Sequence, residues 1–116
     1  GARWTAQPRV GDAAALELTW SVERPPARSY TVFVHVVDGA GQVVAQHDGV
    51  PGSGQRPTNS WVAGVEVPDR HGLLLPAVDP GELSIRVGLY DPDTGRRLRL
   101  AGGADVVELG TLALTE

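Results

Sequence analysis

The sequence predicts an all-β fold, an immunoglobulin-like antiparallel β-sandwich of seven to eight strands. Three observations carry that prediction. Two long apolar runs, Tyr30–Val37 and Leu83–Tyr90, each lead into a tight turn and a return segment. Residues 13–23 alternate apolar and polar with period two, the mark of a half-buried strand. The density of 15 glycines and 9 prolines fits many short strands joined by turns and works against long helices.

Taken in order, residues 1–11 are short of strand signal. Trp4 is their one large apolar group, and Pro8 and Gly11-Asp12 mark a turn. In the first clear strand Leu16, Leu18, Trp20 and Val22 share a face, which makes Trp20 a core residue. Arg24-Pro25-Pro26 ends it, because proline donates nothing to a ladder. Tyr30–Val37 is apolar on both faces and belongs at the centre of a sheet. Asp38-Gly39-Ala40-Gly41 makes a hairpin turn, and Val43–His47 is its return strand.

Residues 49–60 form the longest stretch without periodicity, a loop expected to be functional or unusually well packed. Trp61–Val67 and Leu73–Leu75 read as two further strands, and Val78-Asp79-Pro80-Gly81 as a turn. Leu83, Ile85, Val87 and Leu89 face the core; Ser84, Arg86, Gly88 and Tyr90 face out. Asp91-Pro92-Asp93-Thr94-Gly95 suits a type I turn closed by a left-handed glycine, followed by a return strand over Arg97–Leu100 and a last strand over residues 106–114.

The length suits one domain over residues 1–116, and 41% hydrophobic residues suffice for a core. Cysteine is absent, which excludes disulfides, thiolate nucleophiles and cysteine-based metal sites and leaves the redox compartment open. Methionine is absent too, which reads as a domain excised from a longer protein. No apolar run approaches the length of a membrane span, so any anchor is expected outside this sequence. All ten cations are arginine and the net charge is −4, a poor match to a nucleic-acid backbone.

The chemistry-bearing residues are few. Gly52-Ser53-Gly54 lacks the spacing of a nucleophile elbow. Ser60, His71 and Asp69 can be drawn as a triad and Glu66 with Asp69 as a carboxylate pair, but nothing in the pattern makes either converge. No catalytic site is expected. Asp91-x-Asp93-x-Gly95 echoes a calcium loop without its later ligands, and His35, His47 and His71 have no ligand spacing, so neither a metal nor any other cofactor is expected. The candidate ligand-binding residues are Asn59, Trp61, Asp69 and His71. An aromatic face flanked by such groups suits sugar recognition, by stacking plus fixed hydroxyl partners. The competing reading has Trp61 plugging one end of the sandwich and Asp69 tying down the loop. Arg86, Arg96, Arg97 and Arg99 read as a small basic patch or as charged protection of an edge strand.

The order of pieces resembles a known module. Tyr30-Thr31-Val32-Phe33-Val34-His35, Val44-Ala45-Gln46-His47-Asp48, Pro57-Thr58-Asn59-Ser60-Trp61, Gly64-Val65-Glu66-Val67, Asp69-Arg70-His71 and Arg86-Val87-Gly88-Leu89-Tyr90-Asp91-Pro92 are similar to the C-terminal β-sandwich of bacterial membrane glycosyltransferases of the dolichyl-phosphate-mannose type, of the kind found in Chloroflexi-like genomes. The resemblance covers the chain after Val10. It implies a non-catalytic accessory or binding module on the extracytoplasmic face of the membrane, reaching the membrane only through the rest of its parent protein. A glycan or lipid-linked sugar is the implied partner, and nucleic acid is not. The alternative is a purely structural or protein–protein interaction module.

Overall fold

The computed structural model describes residues 2–4, 13–75, 82–100 and 103–113. They form seven strands: β1 (Ala2–Trp4), β2 (Ala13–Ser21), β3 (Thr31–Val37), β4 (Val43–Gly49), β5 (Glu66–Leu74), β6 (Glu82–Tyr90) and β7 (Val107–Ala113). The only helical element among them is a single 3₁₀ turn at Thr58–Ser60. Every pairing is antiparallel. One sheet has the order β1-β2-β5, the other β4-β3-β6-β7.

The two long apolar runs are the inner strands of the larger sheet, where each is flanked on both sides. The sheets meet face to face. Leu16, Leu18 and Leu73 from one and Val32, Val34, Val36, Ile85, Val87 and Leu89 from the other form a single cluster, none of them more than 5% exposed. Period-two alternation puts these side chains inward, and their burial is the main force holding the sheets together. A smaller cluster of Val22, Trp61 and Val67 closes one end.

The structure departs from the sequence reading at several places. Residues 66–74 form one nine-residue strand, where two short ones were expected. Pro68 lies inside this strand, which is tolerable because β5 is an edge strand of its sheet. Trp61 lies outside that strand, directly after the 3₁₀ turn. The weak N-terminal segment does contribute a strand, Ala2–Trp4, paired to Leu16–Leu18. The expected return strand Arg97–Leu100 is reduced to a single bridge between Tyr90 and Arg97, although Leu98 still donates its N–H to Leu89 at 2.8 Å. Trp20 is half-buried rather than core, while Trp61 is buried.

The outer face of the larger sheet is also filled. Phe33 is 2% exposed beneath the Arg97 guanidinium, 4.7 Å above its ring. Gly88, expected to face out, is buried under Phe33 and has no room for a side chain. Tyr90 is half-buried and donates its hydroxyl to Asp48 at 2.9 Å. The predicted turns at Gly11-Asp12 and Val78–Gly81 lie outside the described residues.

Candidate functional site

The long aperiodic loop is well packed. Three successive residues, Gly52, Ser53 and Gly54, take left-handed φ of 68°, 58° and 85°, a run that glycine adopts freely and serine does not. Backbone bonds from Gly54 to Val50 and from Arg56 to Pro51 close the turn. Thr58, fully buried, then anchors the following 3₁₀ turn: its hydroxyl donates to the Arg28 carbonyl at 2.6 Å and accepts from the Tyr30 N–H at 2.9 Å. Trp61 donates its indole N–H to the Arg56 carbonyl at 2.9 Å.

These contacts separate the four sequence-predicted site residues. Asn59 is exposed on the 3₁₀ turn. Trp61 is 7% exposed and turned toward Trp20, 6.2 Å between ring centroids. Asp69 and His71 occupy inward positions of β5, between Val67 and Leu73, and are 4% and 1% exposed. The structure thus joins Asp69 to His71 and Trp61 to Trp20, but does not gather the four around one open surface.

Two features emerge in their place. The first is a cleft of about 360 Å³ at the end of the sandwich, walled by Trp20, Trp61, Leu89 and Leu98, with Glu23, Arg24 and Arg99 exposed at its mouth. Trp20, next to the last residue of β2, lines the cleft as a half-buried side chain. The second is a chain of polar atoms running between the sheets. Asp69 Oδ2 accepts from Trp20 Nε1 at 3.1 Å and lies 2.6 Å from His71 Nε2. Asp69 Oδ1 accepts the Gly52 N–H at 3.0 Å, tying the loop to β5. The other nitrogen of His71, Nδ1, lies 2.8 Å from His47 Nδ1 on β4. Burial pushes the Asp69 carboxyl up, but the bond and charge of His71, with the Trp20 and Gly52 donors, outweigh burial and hold it below the ordinary carboxylate range.

The drawn triad does not assemble, since the Ser60 hydroxyl donates to the Pro57 carbonyl at 2.6 Å. Glu66 and Asp69 fall on opposite faces of β5, one exposed and one buried. Asp91 is committed to Arg28 at 2.7 Å and to the Asp93 N–H at 2.9 Å, which is the work of a turn. Among the described residues no group of three or more His, Asp or Glu side chains is placed to hold a metal ion.

Sequence reasoning missed Arg24 and His47, and it set Arg99 in a basic patch rather than at this cleft. The arginines sit in irregular segments whose convergence no local period encodes. His47 shares the core-facing phase of β4 with Ala45, a polar residue in a core position, but its partner is set by sheet packing. No protein-family model, curated protein or solved structure matches this chain.

Proposed function

We propose that this domain is an immunoglobulin-like, non-catalytic binding module that takes a glycan in the Trp20–Trp61 cleft. The reading also treats it as an extracytoplasmic accessory unit of a membrane glycosyltransferase-like protein, on the strength of the motif order given above. The observation that carries it is the cleft: a half-buried indole backed by a second one, with arginine and glutamate side chains at the rim. Indole faces stack on the C–H faces of sugars, while guanidinium and carboxylate groups fix hydroxyls. A shallow site of this kind binds weakly, because little area is buried against the cost of association.

The test is titration of an oligosaccharide panel, including lipid-linked sugar analogues, followed by tryptophan fluorescence. The expected result is a saturable shift that is lost in Trp20→Phe, which also gives up the indole bond to Asp69 and melts lower by about 1–3 kcal/mol but stays folded, and weakened in Arg99→Ala, which melts as the parent does to within about 1 kcal/mol. A panel with no saturable shift refutes glycan binding. It would leave the structural reading, which the committed hydrogen bonds of Trp61, Thr58 and Asp69 support.

A further inference from the structure

The contact between His47 and His71 has a definite proton count. Trp20 Nε1 and the Gly52 amide can only donate, and with its carboxyl held below the ordinary range Asp69 meets them as a carboxylate, so the third contact at 2.6 Å takes its proton from His71 Nε2. The remaining nitrogen pair, Nδ1 to Nδ1 at 2.8 Å, holds one hydrogen between two ring nitrogens. With both rings neutral, His47 Nδ1–H donates to His71. A first added proton goes to one ring and leaves a single hydrogen between the two. A second puts N–H against N–H and two cations side by side, and the contact fails.

The surroundings decide which ring leaves. His71 is 1% exposed, held by Asp69 on β5 and covered by β2, whose inward neighbours Leu16 and Leu18 carry no charge. His47 is half-buried on β4, an edge strand, opposite the apolar Val34 of β3. Its open side is a cleft lined by Asp48, Ser53, Arg70 and Gly72. Asp48 is engaged by the Tyr90 hydroxyl, and Arg70, exposed on the outward phase of β5 opposite Glu17 of β2, is the cation of this cleft. Along this seam β4 and β5 belong to different sheets, so no ladder replaces the bond when it breaks.

We propose that the His47–His71 pair is an acid-released clasp between the two sheets: closed while the rings share one Nδ1 hydrogen, and open, with His47 swung into the cleft, once both are protonated. Release frees the end of β4 from β5 and leaves His71 paired with Asp69.

The experiment follows the ring ¹⁵N signals of both histidines and the amide-exchange protection factors of β4 from about pH 8 down to about pH 4. A His35→Gln background removes the one other histidine. The expected result is loss of the Nδ1–Nδ1 coupling at the second protonation, with protection around His47 falling at least about tenfold while β6 keeps its own. In His47→Gln the fall is absent, because the glutamine amide offers His71 Nδ1 a donor or an acceptor as required. An equal fall in His47→Gln overturns the proposal, as does a parent protein that carries two protons on each ring with the contact intact.

Discussion

Asp69 is the residue whose removal tests the buried polar chain most directly. Its side chain is 1% exposed and serves three donors: the Trp20 indole, the His71 ring and the Gly52 amide. A buried donor stripped of its acceptor costs about 1–3 kcal/mol. Asp69→Ala strips three at once, but His71 can move its proton to Nδ1 and water can enter the vacated space, so the sum is discounted to about 3–5 kcal/mol. That is a large share of the roughly 5–15 kcal/mol by which a domain is stable. With a urea slope of about 1.5 kcal/mol/M, the unfolding midpoint falls by about 2–3 M. Asp69→Asn keeps the shape and one acceptor oxygen, and should lose less. The pH dependence has a fixed sign. The folded carboxyl lies below its unfolded value of about 3.9, so its stabilisation is present above about pH 4 and is lost as pH falls through the folded value. The difference between parent and Asp69→Ala must therefore shrink at low pH. A midpoint shift under about 0.5 M at neutral pH would refute this account of the chain.

Two further outcomes follow from the larger sheet. A Cβ on Gly88 would lie 2.5 Å from two Phe33 ring carbons and 2.8 Å from the Asp105 carbonyl oxygen, so Gly88→Ala should cost about 1–3 kcal/mol in a denaturant melt, and Phe33→Leu should recover part of it. His35 is held below its ordinary value chiefly by burial, with Arg97 and Arg86 adding to it and Asp48 opposing. The unfolded chain therefore binds that proton more readily, and stability declines as pH falls below about 6.5 toward the folded value. His35→Gln should flatten this slope in thermal melts across that range, and an unchanged slope would count against it.

What the sequence made legible was whatever depends on one strand at a time. The phases of Leu16, Leu18, Val32, Val34, Ile85, Val87 and Leu89 follow from alternation alone, and all seven are core. Trp20 has the same phase as Leu18 yet stays half-buried, because it stands at the end of the sandwich where the opposite sheet no longer covers it. The continuity of β5 was not legible because Asp69 and His71, polar residues, fill its inward positions between Val67 and Leu73. Asp69 and His71 stand out in the sequence among four candidate binding residues, and their inward phase on β5 is that of Val67 and Leu73. Their third partner could not be read, because the pairing of His47 with His71 joins strands of different sheets.

That same geometry connects the cleft with the clasp. The Trp20 indole and the His71 ring meet on one oxygen, Oδ2 of Asp69. Any charge acquired by His71 shortens and strengthens its own bond to that oxygen at the expense of the weaker indole bond, since a charged donor outcompetes a neutral one. The wall of the cleft is therefore held by an acceptor whose availability depends on the protonation of a ring two residues further along β5. Glycan affinity measured at two pH values in the parent and in Asp69→Asn separates this coupling from simple acid unfolding. Coupling requires a pH-dependent affinity in the parent, at pH values where the fold is intact, and a flat one in the variant.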